Sequence, residues 1–423
     1  MTRLICTLMA GLLFSGNILP AQDLIENYVR EHAVPIRSID PDAVDFADLE
    51  AIGAAIGDRR VVMLGEQDHG DAPAFLAKTR LIKYLHEKKG FTVLAFESDF
   101  FGLNEGWDHL NKTNPEIDSF LRRNIFGIWT MCDACAPLLY EYIPETYQKQ
   151  HPLTITGFDN QLILGYSDRH LFPKLDSVLR SRRLPVTQLP EYAQDILPAI
   201  SNWYKYEKDN AAQTRCIRYL ETIETELAAV APVDDFWLLV IQNLIQVNIQ
   251  YKNRYTDYYT SHNARDVQMA RNLKWLYDIK YPAEKIIVWA HNFHISKYAG
   301  HYPQDFLNKM NTMGDVFTSD SMRLKDTYIL GFTSLEGRAG RIGQKEYKIN
   351  KPKSKSFERW IHPECEYAFV DFQEYNAANP AVQDWFYMSG AILGNGRHTN
   401  HQAHWNRIFD GVFYIKKMYP CKR

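Results

Sequence analysis

The chain has 423 residues, 46% of them hydrophobic and 13% aromatic, and a mean hydropathy of -0.36, which excludes a disordered chain and an integral membrane bundle and leaves an ordinary globular protein. The net charge of -3 argues against nucleic acid as a partner. A polyanion needs a concentrated basic face, and the one basic cluster, Lys345 to Lys355, is short and suits a solvated connection.

The chain begins with a secretory leader pattern. Arg3 supplies a positive start, Leu4 to Phe14 an apolar stretch, and Pro20-Ala21 a small-residue cleavage site before Gln22-Asp23. Cleavage is expected at Ala21, and the mature protein is expected in the periplasm or secreted. Gly16 and Asn17 break the apolar run well before the roughly 20 residues a membrane span requires. Outside the leader stand Cys132, Cys135, Cys216, Cys365 and Cys421. No second Cys-x-x-Cys completes a zinc knuckle, and no clear strand precedes Cys132 as a thioredoxin-like site would require, so the expectation is a local Cys132–Cys135 bridge or two reduced thiols.

Residues 23–58 suggest an amphipathic helical lead-in with a turn near Pro35 and Pro41. Val61 to Leu64 is then an apolar strand that stops abruptly in Gly65-Glu66-Gln67-Asp68-His69-Gly70. Helical spacing follows over Ala72 to Lys88, with Phe75, Leu76, Leu81, Ile82 and Leu85 on one stripe. Thr92 to Phe96 is a second strand and runs into Glu97 and Asp99. A strand, a helix and a strand in this order predict parallel pairing. Ile155 to Phe158 forms a third strand leading into Asp159, and Ile286 to Ala290 a fourth leading into His291, Asn292 and His294. Four apolar strands thus deliver carboxylate or imidazole at the same end, where open α/β sheets bind ligands.

Residues 187–280 differ in kind. Glu191 to Tyr206, Ala211 to Val230, Phe236 to Tyr255 and His262 to Asp278 each have helical patterning with no strand among them, so a helical layer is expected to be inserted between the third and fourth strands. Short strands return at Thr327 to Phe332 and Gly411 to Ile415 with an irregular segment between them. That segment holds Arg397, His398, His401 and His404, whose spacing matches no metal-ligand pattern and suits a polar surface loop. The expected fold is α/β, a mostly parallel core sheet flanked by helices with a large helical insertion, in one domain over 22–423.

The order and spacing of these motifs resemble the erythromycin esterase family. Its Gly-Glu-x-x-His-Gly pattern matches Gly65 to Gly70, its second strand ends at Glu97, Arg265-Asp266 with Met269-Ala270 and Asn272 is similar to its helix before the last catalytic strand, and Trp289-Ala290-His291-Asn292-Phe293-His294 is similar to its second histidine motif. Weaker similarity covers Gly157-Phe158-Asp159 and Gly331 to Gly337. The resemblance implies catalytic roles for Glu66, His69, Glu97, His291 and His294, and substrate-binding roles for Asp159, Arg265 and a basic residue at Lys78. Two positions depart from the family: Lys78 stands where arginine is expected and Pro73 where an acid is expected. Arg80 is the candidate substitute, although two positions along a helix point about 200° apart, so Lys78 and Arg80 cannot both aim at one site. Arg265 and Asp266, as neighbours on a helix, are likewise expected to send at most one side chain to the site.

The residues themselves suit direct attack by water. An imidazole titrates near neutrality, and Glu66 on the same tight loop is placed to orient His69. No Gly-x-Ser-x-Gly elbow is found in the sequence, which disfavours a serine nucleophile. The expectation is hydrolysis of a small-molecule carboxylic ester or lactone, macrolides among the candidates, with no organic cofactor. Two rival readings use the same residues: a divalent metal held by Glu66, His69, Glu97 and His291, and an envelope-associated binding protein without turnover.

Overall fold

The computed structural model describes residues 21–149, 151–206, 208–297, 309–390 and 398–423, and side chains from residue 24 onward. The expected leader lies outside the described residues as far as Pro20, and so does Arg397. Among the described residues, no helix is long and apolar enough to cross a membrane.

Among the described residues eleven strands follow in chain order: β1 Val34–Ile36, β2 Val61–Leu64, β3 Phe91–Asp99, β4 Thr154–Asp159, β5 Lys285–Trp289, β6 Thr327–Ala339, β7 Tyr347–Lys348, β8 Tyr367–Asp371, β9 Phe386–Ser389, β10 Asn400–Ala403 and β11 Gly411–Met418. The main sheet has the order β1-β8-β11-β6-β2-β5-β3-β4, with β7 pairing onto β6. From β11 through β4 every neighbouring pair is parallel. Only β8 and β1 on one side and β7 run antiparallel to their neighbours, while β9 and β10 form a separate ribbon.

The strands are apolar on both faces because both faces are covered. Val62 and Leu64 join a core with Phe75, Leu81, Ile82 and Leu85 of the Ala72–Lys89 helix. Val61 and Met63 turn the other way, onto Met269 and Leu273 of the Tyr258–Trp275 helix. A third core, including Leu171, Leu220, Ile241 and Leu244, lies within the inserted helices.

That insertion occupies the chain between β4 and β5, as expected, with adjusted helix bounds. Asn210–Ala228 and Phe236–Asn253 start where Asp209 and Asp235 cap their first backbone N–H groups. The expected helix from His262 begins earlier, at Tyr258, because Asp257 caps Thr260. The expected single helix over Glu191 to Tyr206 is instead three short pieces, the middle one beginning at Leu197 and carrying in its first turn Pro198, which has no N–H for a continuous ladder. Two further expectations need correction. The lead-in is not wholly helical, since it contains β1, a strand that tolerates Pro35 because it forms the sheet edge. The segment thought irregular between the last two strands holds β7 to β10, including the fully paired β8.

The cysteine expectation is overturned. Cys132 is bonded to Cys421, 289 residues away, and Cys135 is a buried free thiol. Tertiary structure chooses the partner: β11 carries the end of the chain back past the site, where Ala72 donates to Tyr419, Cys421 to the Gly70 carbonyl and Asp133 to the Lys422 carbonyl. The bridge therefore ties the segment bearing Trp129 to the chain beyond β11. Cys421→Ser should lower the unfolding free energy by about 2–5 kcal/mol, read by urea denaturation. Dithiothreitol should destabilise the wild type and leave the variant unchanged; equal sensitivity of both proteins to the reductant would contradict the pairing.

Candidate active site

The loop leaving β2 is held by its two glycines. A Cβ on Gly65 would meet Asn292 Oδ1 at 2.0 Å, because that side chain crosses beneath the loop to pair with both backbone groups of Phe332. A Cβ on Gly70 would meet the Gly340 carbonyl at 2.3 Å. Between them Glu66 is wholly buried. One of its oxygens receives His69 Nδ1 at 2.7 Å and Trp129 Nε1 at 3.2 Å, and the other receives Lys78 Nζ at 2.8 Å. Burial alone would raise this carboxyl, but Lys78 and His69 hold it below its ordinary value. Burial lowers the Lys78 pKa against the pull of Glu66, and the ammonium also lies 3.9 Å from the centre of the Trp289 ring. With Nδ1 committed to Glu66, His69 turns its Nε2 outward, and the side chain keeps 14% of its exposure.

A second cluster stands beside the first. Arg265 donates from Nε at 3.1 Å and Nη2 at 2.6 Å to the two oxygens of Asp159, and from Nη2 to Glu97 at 2.7 Å. Burial would raise Glu97, yet His294 and Arg265 hold its carboxyl well below the usual range. The other Glu97 oxygen receives the backbone N–H of His291 at 3.0 Å. His291 itself is fully engaged: Nε2 donates to the Gln67 carbonyl at 2.7 Å while Nδ1 accepts from Phe293 N–H at 3.0 Å. Burial, with His69 and His294 nearby, pushes its pKa down to about 4, so the ring is neutral. His294 is gripped from both sides, by Asp266 at Nδ1, 2.9 Å, and by Arg265 Nη1 at Nε2, 3.0 Å. These bonds belong to the neutral ring. Against burial, Asp266 and Glu97 raise its pKa, although a proton arriving at Nε2 would have to displace Arg265.

The structure thus brings Glu66, His69, Lys78, Glu97, Asp159, Arg265, His291 and His294 to the carboxyl ends of β2, β3, β4 and β5. His69 and His291 have ring centres 5.4 Å apart, and His291 and His294 6.3 Å. Arg80 is not among them. It is bound to Asp48 and to the carbonyls of Ser38 and Asp45, on the opposite side of its helix from Lys78. The substrate-binding expectation for Lys78 also needs correction, since the ammonium is completely buried behind Glu66. Arg265 and Asp266, expected to diverge, both reach His294, because that ring stands over the roughly 100° between successive helical positions. Asp99 turns away, to Gly102, Leu164 and Ser167.

The expected surface loop of histidines is not one. His398 is buried against Asp71, and His404 is buried with Nδ1 on the Asp384 carbonyl. Trp129 was not singled out as a site residue in the sequence; an indole carries no local signal until tertiary contacts place it. Among the described residues, the one cluster with metal-ligand geometry is Cys132, Asp133 and Cys421, whose sulfurs are bonded to each other. Beyond Arg265 opens a cavity of about 370 Å³, bordered by Gln161, Gln250, Tyr255, Tyr258 and His262. A larger one, of about 650 Å³, lies among the inserted helices and includes none of these cluster residues.

The erythromycin esterase profile matches residues 86–418, which include Glu97, Asp159, Arg265, His291 and His294 but begin after Glu66, His69 and Lys78. YbfO from Bacillus subtilis (strain 168) is 26% identical over 446 residues, spanning 99% of this chain and 96% of the relative. Erythromycin esterase type II from Escherichia coli is 23% identical over 447 residues, spanning 93% and 97%. The solved structure of a mutant of erythromycin esterase EreC in its open conformation superposes with a TM-score of 0.69 at 18% identity, covering 91% of this chain and 97% of that one, a likeness of fold. With its profile matched over most of its length, this chain belongs to the erythromycin esterase family.

Proposed function

We propose that the protein hydrolyses a carboxylic ester or lactone with water activated by His69. The observation that carries this reading is the Glu66–His69 hydrogen bond of 2.7 Å: it holds the ring proton on Nδ1 and leaves Nε2, on the exposed side, as the base. Nε2 takes a proton from water, the water oxygen bonds to the acyl carbon, and Glu66 stabilises the resulting imidazolium. On collapse the C–O bond breaks and the alkoxide recovers the proton from His69. Arg265, fixed by Asp159 and Glu97 at the edge of the cavity, is suited to receive the developing oxyanion. Neutral His291 packs beside His69 without competing for its proton.

Lys78 and Arg265 already provide the positive charge that these buried carboxylates require, and both nitrogens of His291 are engaged. A divalent ion at Glu66, His69, Glu97 and His291 would have to displace those partners, so the proposed reaction uses no metal or organic cofactor. Lys78 in place of the family's arginine keeps the charge beside Glu66 and has no part in substrate contact. The family's named members make lactones of the erythromycin class natural first substrates. A disulfide suits an oxidising compartment, which supports removal of the leader near Ala21 and work outside the cytoplasm.

His69→Ala should reduce kcat on 4-nitrophenyl acetate or a macrolide lactone by about two to four orders of magnitude with KM nearly kept, since base catalysis contributes that much in the transition state. Glu66→Gln should reduce the same parameter by less. Near-normal turnover of the His69 variant would remove the mechanism. In oxygen-18 water, single-turnover product acid should carry solvent label from the first cycle, whereas unlabelled acid would point to a covalent carboxylate intermediate.

The neutrality of His291 also has a stability consequence. Its folded pKa of about 4 lies below the unfolded value of about 6.5, so the unfolded chain binds the extra proton as pH falls. The stabilisation is full above about pH 6.5 and is lost down through pH 4. Urea unfolding at pH 7 and pH 5 should show a loss about 1–2 kcal/mol smaller in His291→Gln than in the wild type. Identical losses would mean that His291 takes up a proton in the folded protein as readily as in the unfolded chain.

A further inference from the structure

Two buried carboxylates flank His69 in the chain, and neither touches its ring. Asp68 Oδ1 receives the His69 backbone N–H at 2.8 Å and Arg341 Nε at 2.6 Å. Asp71 Oδ2 receives the Asp68 backbone N–H at 3.0 Å and His398 Nε2 at 2.8 Å. Tyr347 closes the ring of contacts, with its hydroxyl 3.0 Å from His398 Nδ1 and 3.5 Å from Asp68 Oδ2. Asp68, Asp71 and His398 are each at most 1% exposed.

We infer that His398 is a positioning residue for His69, acting through Asp71 and Asp68. The inference rests on the reading of His69 as the base, and its physical basis is the lack of regular structure between β2 and the Ala72–Lys89 helix. The loop cannot align the His69 ring on Glu66 through its own ladder bonds, so the backbone N–H groups of Asp68 and His69 are held by side-chain carboxylates instead. A buried carboxylate holds a direction only when it is itself paired. Its partners come from two distant places: Arg341 and Tyr347 from the β6–β7 hairpin, which also closes over Gly70, and His398 from the segment before β10. Against the opposing effect of burial, Asp71 raises the His398 pKa, which strengthens the grip. An error of about 1 Å in the base costs on the order of 100-fold in rate, so the clamp should be visible in turnover.

The test combines kinetics on 4-nitrophenyl acetate with proton NMR of nitrogen-15-histidine-labelled full-length protein, in which the His69 Nδ1–H bonded to Glu66 gives a downfield signal. His398→Ala should lower kcat about 10- to 100-fold, leave KM within about twofold, and shift or broaden the His69 signal. His398→Gln, whose amide can occupy the Nε2 position and donate to Asp71, should recover most of both. The inference is overturned if the His69 signal of His398→Ala stays at its wild-type position, or if His398→Gln is as impaired as the alanine variant. If His398→Ala does not fold, Tyr347→Phe replaces it, with a smaller shift of the same signal expected and an unmoved signal refuting the clamp. Absence of wild-type turnover would count against the hydrolytic reading alone, since the NMR comparison decides the clamp without any substrate.

Discussion

A carboxylate with no exposure can stay charged only if the protein surrounds it with donors, and the rest of the site is arranged around meeting that condition for Glu66. Removing an ion from water costs several kcal/mol even after relaxation. Glu66 offsets this with an ammonium on one oxygen and an imidazole and an indole on the other. Each donor comes from a different element: Lys78 from the helix after β2, His69 from the loop itself, Trp129 from the segment bridged to the C-terminus. The geometry of His69 follows, because a ring bonded through Nδ1 to a fixed carboxylate has little freedom left.

The same logic organises the second cluster. Arg265 faces Asp159 and Glu97 and touches His294, which in turn holds Asp266. An excess of carboxylates over permanent cations in a buried volume makes each hydrogen bond stronger and each missing partner more costly. The two clusters are not independent. His291 gives its backbone N–H to Glu97 and its ring N–H to the Gln67 carbonyl, linking the ends of β3 and β5 to the loop that follows β2.

The sheet makes these meetings possible. β5 lies between β2 and β3, so the histidines after β5 stand between Glu66 and Glu97, though His291 is 194 residues beyond Glu97 in the chain. The helical insertion supplies Arg265 and Asp266 and the walls of the adjoining cavity. The end of the chain returns along β11 to brace the His69 loop at Gly70 and Ala72, so the site depends on residues from nearly the whole described length.

Much of this was legible in the sequence. The strand-helix-strand order announces a parallel sheet, and the carboxylates and histidines after β2, β3, β4 and β5 mark by position alone the edge where the candidate site gathers. The helical patterning over residues 187–280, with no strand among it, likewise announces the insertion between the third and fourth strands. What the sequence could not determine were relations that exist only between distant segments. Cys132 lies near Cys135 in the chain, yet bonds to Cys421 because β11 brings that residue to it. Lys78 and Arg80 look interchangeable as cations, and only packing sends one to Glu66 and the other to Asp48. His398 looked like part of a polar loop until the fold buried it against Asp71. Local pattern reports which residue types can serve at a position, whereas pairing among buried charges is decided by which of them the tertiary structure removes from water together.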